Sequence, residues 1–429
     1  MNAHAALGRG AASHTIDRVV VIHDYPQAEG GAGTLALLAA REFAARGVPV
    51  TFFSGASDLA PSRTKGVEYA GVAGRPLLAL PPRAAALQGF HNREACESLA
   101  AWIAANDTPR TVYHLHNWSQ ILSPAIFVAL RPVESRLVVT CHDFFNLCPN
   151  GGVTDFRRAR PCELKPMGAR CIATDCDRRS RLHKLWRTAR HANLTRLAKF
   201  ATSQATFTFI HQAMRDRFVE GGFAARDLAV VPNPVEPWTR QRVRAEDNAG
   251  FLYVGRLSRD KGADLAVEAA VRSSMPLTLA GTGELADELR RRGRGIRLAG
   301  WCDRAGLRAL ACNARALVVP SRVTEPFGLV IVEAAASGVP VIVSDRAYFA
   351  ADAERMGFGL AFDPARPDEL ARLLDRVSRD RVLTERMSRA GHALAGRLAL
   401  GPAEWAERLL SLFGRKLGLI VEGSSQRIR

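Results

Sequence analysis

Apolar and polar positions along this chain follow a strand-then-helix rhythm that runs twice. Residues 18–23 (RVVVIH) form a short β-branched run, the loop DYPQAEGGAG follows, and 34–47 carry apolar residues at helical spacing up to a terminating Gly47. The rhythm continues through strands at 48–54 and 112–116, a helix over 93–105, a helix from 124 onward and a strand at 136–140. It breaks over 143–177, a Gly-, Pro-, Cys- and Arg-rich insertion without periodicity. A helix follows with Leu182, Leu185, Trp186, Ala189 and Leu197 near helical spacing, then a short strand, a further helix to about residue 221 and the run AVVPNPVEP at 229–237. Residues 235–248 read as a linker. The second series starts at FLYVGRL (251–257) and passes through 277–281 and 295–300 to ALVV at 316–319; the amphipathic run around Trp405 ends it. Alternation of this kind predicts doubly wound α/β domains with parallel sheets: one over 15–238, a second over 249–400, and a last helix at 402–420. A cleft between the two sets of strand ends is the expected site.

Candidate chemistry concentrates at those strand ends. In PSRVTEPFGLVIVEAAASGVP (320–340), Glu325 follows a buried strand and Glu333 lies seven intervening residues later on a helix starting near Gly328. The first N–H groups of that helix attract anions, and helical side chains tilt back toward the N-terminus, so both carboxylates point to one edge. Arg256 and Lys261 follow the first strand of the second domain, a pairing that suits a diphosphate. In the first domain, Gly30, Gly31 and Gly33 allow close backbone approach at a helix N-terminus. His116 and His142 end two parallel strands and are expected to meet in one crevice.

The 429 residues carry a formal net charge of +17, and 157–199 alone hold 13 Lys or Arg against three acids. Such a field favours phosphates, anionic lipid surfaces or nucleic acid. The basic helix within it fits either an anionic membrane surface or an inward-packed domain helix. No apolar run approaches the roughly 20 residues of a membrane span, and the opening 18 residues lack a signal-like apolar core, so a cytoplasmic protein is expected. Of eight cysteines, five fall between Cys141 and Cys176. Cys148, Cys162, Cys171 and Cys176 offer four thiolates for a structural zinc, but without the Cys-x-x-Cys spacing of common zinc motifs. Asp175-Cys-Asp177 is the only Asp-x-Asp, and its basic, cysteine-rich setting argues against a nucleotide–metal site. Gly281-x-Gly283-x-x-Ala286 with Asp303 matches a dinucleotide fingerprint and admits an NAD-dependent oxidoreductase, although it follows the second strand of its domain rather than the first.

Taken together, VGRLSRDKG, LAGTGEL, LAGW, VVPS and above all EPFGLVIVEAAASGVPVI resemble the retaining nucleotide-sugar glycosyltransferases of family four, which have the two-domain GT-B fold. GGAG, TCHD (140–143) and VPNPV (231–235) extend the resemblance over most of the chain. By that resemblance, Glu325 lies by the donor sugar and Glu333 accepts hydrogen bonds from the ribose. Arg256 and Lys261 hold the diphosphate with Gly31 and the backbone of Phe327, Gly328 and Leu329. His142 contacts the sugar, Trp301 and Cys302 edge the base, and His116, Gly30 and Gly33 lie on the acceptor side. The resemblance implies a nucleotide-diphosphate sugar as donor, a glycan or polyprenyl-diphosphate-linked acceptor, no required cofactor or metal, and a role in cell-surface polysaccharide or glycolipid assembly. The last helix is expected to return to the first domain. Where the family often has an acidic or serine residue after GGA, this chain has Gly33 and Thr34. The alternative in a different class is a catalytically silent GT-B scaffold that binds a polyanion or an anionic membrane; nucleic acid is not expected.

Overall fold

A computed structural model describes residues 16–28, 30–59, 64–292 and 295–419. The opening segment and the outer bounds 15 and 420 set for the first domain and last helix lie outside the described residues.

The first sheet contains β1 (Arg18–His23), β2 (Val50–Ser54), β3 (Val67–Gly71), β4 (Thr111–Leu115) and β5 (Leu137–Cys141). A two-stranded hairpin, β6 (Thr154–Asp155) with β7 (Arg160–Pro161), interrupts it before β8 (Thr206–Phe209) and β9 (Asp227–Val230). Its order is β3-β2-β1-β4-β5-β8-β9, with every pair parallel. The second sheet holds β10 (Gly250–Val254), β11 (Leu277–Ala280), β12 (Ile296–Gly300), β13 (Ala314–Val319), β14 (Val341–Ser344) and β15 (Gly359–Phe362). Its order, β12-β11-β10-β13-β14-β15, is also parallel throughout. Central strands such as β4, β5 and β13 are buried along their whole length, as sheets covered by helices on both faces require.

Several elements depart from the pattern reading. The edge strand β3 (VEYAG) carries no continuous apolar run and β9 (DLAV) only a short one, and both are partly exposed, so periodicity gives little signal for them. The helix expected from 124 is only Ile126–Ala129, continued as a 3₁₀ turn Arg131–Arg136 in which Pro132 has no N–H to give. The first helix starts at Gly30, so the glycines of GGAG occupy its first turn instead of the preceding loop.

The linker is strapped to the second domain. Arg242 forms a double hydrogen bond with Glu246 and reaches Ser388, Val243 N–H donates to Ser337 O, and Arg315 donates to the carbonyls of Glu246 and Asn248. The last helix, Pro402–Lys416, buries Trp405, Leu409 and Phe413 against the first sheet; Phe413 meets Phe43 edge-on at 5.6 Å between ring centroids.

The basic helix, Arg181–Ala198, is capped by Ser180, whose hydroxyl accepts from His183 N–H. Its buried face is not the expected apolar stripe: Lys184, Thr188, Arg190, His191, Leu194 and Ala198 face inward, while Leu182 (78%) and Leu185 (44%) are exposed. Much of the positive charge is spent internally, through Arg187–Asp177, Arg157–Asp175 and Arg178–Asp260. The zinc alternative is also corrected. All eight cysteines are free, and hydrogen-bonding side chains separate the sulfurs. Asn150 bridges Cys148 and Cys176, the buried Lys184 ammonium donates to Cys171 at 3.6 Å, and Cys162 lies beside the hairpin. Among the described residues no three His, Cys, Asp or Glu side chains converge on a metal position.

Candidate active site

Two helices begin at the carboxyl ends of the central strands of the second sheet. Gly262 (φ +71°) caps Ala263–Arg272 after β10, and Gly328 (φ +63°) caps Leu329–Ala336 after β13. At Gly262 a Cβ would stand 1.9 Å from Pro320 O, so only glycine lets the two strand-end loops touch. This contact brings Lys261 to Glu325: the Lys261 ammonium donates to Glu325 Oε2, which also accepts from Ser321 Oγ at 3.3 Å. Glu325 is held from behind by its own backbone, through Glu325 N–H to Arg346 O (3.1 Å) and Tyr348 N–H to Glu325 O (3.2 Å). Phe327 is buried edge-on against Phe349, so only its backbone remains for a ligand.

Arg256 pairs with Asp260 at 3.0 Å, and the same carboxylate oxygen takes Arg178, the first residue after the 143–177 insertion, at 2.8 Å. Burial alone raises the Asp260 pKa, but the Ser258 hydroxyl and the two arginines outweigh it and bring the carboxyl below its usual value. A second tie crosses nearby, from Thr324 N–H to Thr154 Oγ1 at 3.4 Å. The segment between β5 and β8 thus joins the first domain to the strand-end loops of the second that carry Asp260 and Thr324. Glu333 stands in the same helix as the Gly328 cap. Burial pushes its carboxyl up to about 7, against opposing contributions from Arg304 and the Trp238 indole. Trp301 (76% exposed) and Cys302 lie after β12 at the sheet edge, with no hydrogen bond or ion pair to Glu325, Lys261 or Glu333 among the described residues.

The first domain presents a different surface. His116 Nδ1 and His142 Nε2 are 2.9 Å apart, so the two strand ends do meet. His116 is 4% exposed and sits behind His142, which corrects its placement as a direct acceptor contact. Gly30 and Gly31 have open space where a Cβ would stand and leave backbone free at the helix start. Gly33 is instead buried, with Gln27 O 3.0 Å from a notional Cβ, so it serves packing. Beside His142, burial pushes the Asp143 carboxyl up to about 6, with Asp24 adding to the effect. Asp143 opens into a cavity of about 640 Å³ walled by Leu77, Leu182, Trp186, Arg187 and Arg190. The buried Arg190 guanidinium lies between Trp118 and Trp186 and donates to Gly89 O and Ser119 O.

The dinucleotide fingerprint has other causes. A Cβ at Gly281 would stand 1.9 Å from Gly255 O, so this glycine serves loop packing, and Asp303 caps the Arg304–Cys312 helix through Gly306 N–H. Pattern reading missed Asp260, Ser321, Trp238 and Arg190. Only Asp260 had a usable signal, lying four residues after Arg256 and one before Lys261.

Comparison with known proteins agrees with the two-domain fold. Residues 30–234 match the family model described as glycosyl transferase 4-like domain, and 234–393 match that of glycosyl transferases group 1. Glycogen synthase of Mycobacterium tuberculosis (strain CDC 1551 / Oshkosh) is 37% identical over 149 residues, 31% of this chain and 36% of that protein. An alpha-D-kanosaminyltransferase of Streptomyces kanamyceticus is 27% identical over 192 residues, 42% of this chain and 49% of that one. The matches thus span less than half the length of these curated relatives. Among solved structures, sucrose-phosphate synthase from Thermosynechococcus elongatus superimposes with a TM-score of 0.70 at 19% identity, covering 94% of this chain and 100% of that chain. HepE of Anabaena, in complex with UDP, gives 0.64 at 16%, covering 93% and 100%. At these identities the structural likeness is one of fold.

Proposed function

This chain belongs to the group 1 glycosyltransferases and has their two-domain α/β architecture, and from that premise we propose that it transfers a sugar from a nucleotide-diphosphate sugar, with retention, to a lipid-linked glycan or diphosphate acceptor. The Lys261–Glu325 pair, set between two helix N-termini, carries this reading. Lys261 and Arg256 each hold a carboxylate in place of the donor diphosphate. When the diphosphate binds, it replaces Glu325 and Asp260 as their partner, so the cations are oriented beforehand and little reorganisation remains. Glu325, released, accepts from sugar hydroxyls, and Glu333 accepts from the ribose. The bond from anomeric carbon to phosphate oxygen breaks, the acceptor oxygen bonds to the same face, and its proton passes to the leaving phosphate, whose charge Arg256 and Lys261 offset.

The acceptor enters the cavity beside Asp143. Its apolar wall suits a lipid arm and its arginines an anionic group, and the exposed Leu182 and Leu185 extend the apolar surface outward. Among the described residues no helix is long and apolar enough to cross a membrane, and peripheral docking on the cytoplasmic face is the arrangement we favour.

Thermal unfolding with a panel of nucleotide sugars tests the donor half: a donor at 100 times its dissociation constant adds about 2.7 kcal/mol. A panel that leaves the melting temperature unmoved rejects that half. For the membrane, Leu182→Glu with Leu185→Glu is expected to lower binding to anionic vesicles about tenfold or more, given the apolar area lost. Unchanged vesicle binding removes the docking proposal.

A further inference from the structure

Behind His142 runs a chain of hydrogen bonds that sugar transfer, as set out above, leaves unused. Thr208 Oγ1 and Thr140 Oγ1 are 2.8 Å apart, and Thr140 Oγ1 is 2.8 Å from His114 Nε2. His114 Nδ1 lies 3.2 Å from His116 Nε2, and His116 Nδ1 lies 2.9 Å from His142 Nε2. The last two rings are within 16° of parallel, as a hydrogen bond in the plane of both rings requires. Parallel register explains the assembly. Thr208 pairs with Thr140 across β8 and β5, and His114 and His116, two residues apart on β4 and just beyond it, lie on one face with their rings tilted by 50°.

All three imidazoles are neutral near pH 7. Burial pushes His114 and His142 down to about 3 and His116 well below its ordinary value, and the neighbouring histidines add to this. A neutral ring has one N–H and one lone pair, so it donates in one direction and accepts from the other. The two hydroxyls and three rings bring five protons to four links. Each neutral ring accepts on one side and donates on the other, so the three links that involve a ring run the same way, and one proton is left over at an end. If they ran inward, Thr140 would receive a proton from His114, and a hydroxyl proton of Thr140 or Thr208 would be left over. Both hydroxyls are buried and, among the described residues, have only each other and His114 as side-chain hydrogen-bond partners, so that proton would be orphaned. Run outward, the chain puts the spare proton on His142 Nδ1. That atom has no hydrogen-bond partner from the protein among the described residues, and His142 is partly exposed where His114 and His116 are not.

We propose that Thr208, Thr140, His114 and His116 are positioning residues that lock His142 in the Nδ1–H tautomer, so that it offers an N–H donor and no lone pair to the cleft. The ligand atom it takes is an oxygen acceptor, a sugar hydroxyl if the transfer reading on which this part rests is right. His142 then does not remove the acceptor proton, which leaves that proton to the departing phosphate.

The test is ring ¹⁵N NMR of histidine-labelled full-length protein without substrate, with signals assigned by single substitutions. The expected result is Nδ1–H with an unprotonated Nε2 at His142, His116 and His114; an Nε2–H tautomer at His142 overturns the proposal. Thr140→Val removes the hydroxyl link and should give mixed tautomers at His142, with turnover about tenfold lower. Thr140→Ser keeps the link and should keep both the tautomer and the turnover. Equal losses in the two variants would show a packing role only and overturn the lock. Because the tautomer is read without substrate, an Nδ1–H result with no sugar transfer rejects the transfer reading alone, and an Nε2–H result with intact transfer rejects the lock alone.

Discussion

The two sheets end in opposite chemistry. At the strand ends of the first domain, three imidazoles are kept neutral by burial and joined by hydrogen bonds. At those of the second, charges of both signs are held in pairs, Lys261 with Glu325 and Arg256 with Asp260. Hydrogen bonds to charged groups are roughly twice as strong as those between neutral groups, so paired charges can hold an anion firmly where a neutral ring supplies mainly direction. One fold used twice thus presents paired charges on one side and linked neutral imidazoles on the other, which on the function proposed above act as an electrostatic clamp and an oriented hydrogen-bond donor.

Removing the clamp gives the largest expected effect. Lys261→Ala or Glu325→Ala should lower turnover by about 10²–10³-fold, the usual loss for one preorganised electrostatic contact, measured as sugar transfer from a nucleotide donor. Turnover within twofold of wild type would mean that the paired side is not the donor side.

Acid acts on the neutral side. The folded-state pKa values of His114 and His142, about 3, lie below the unfolded value of 6.5. Their contribution to stability is full above about pH 6.5 and is lost as pH falls toward 3, a loss on the order of a few kcal/mol. Denaturation curves at stepped pH should show the first domain unfolding before the second. Flat stability between about pH 6.5 and 4 would contradict the neutral, buried state of these rings.

A smaller pH effect sharpens the charged side. Glu333, pushed up to about 7, must be a carboxylate to accept from two ribose hydroxyls. Nucleotide affinity should therefore fall as pH drops below 7, approaching tenfold per unit, and calorimetry between about pH 8 and 6 reads it directly. Affinity independent of pH over that range would separate Glu333 from the ribose.

The placement of the second domain's charged residues at strand ends was largely legible. Glu325, Glu333, Arg256 and Lys261 stand in one order within short segments, and strand-to-helix junctions bring such residues to a single edge. Asp260 was readable as a residue but not as a partner, because Arg178, which shares it, lies 82 residues earlier, just after the insertion. The basic helix was misread for a related reason. Its sequence has two candidate faces, and the one with Lys184 and Arg190 is buried because the Cys171 thiol and, from distant segments, the Gly89 and Ser119 carbonyls and the Trp118 indole receive those cations. Periodicity records which residues are apolar, whereas a cation with enough partners can be buried as well.

By itself the sequence determined two parallel sheets in series, the segment that joins them and the carboxylates and cations at the second set of strand ends, since local hydrophobic period and strand-end placement follow from residues close in the chain. Tertiary structure decided which charges are paired, that the insertion bridges both domains, that the cysteines serve as separate hydrogen-bond partners, and that His142 stands at the end of a buried chain. Each of these depends on the distances between segments far apart in sequence, where burial and hydrogen-bond partners set the protonation state of a side chain.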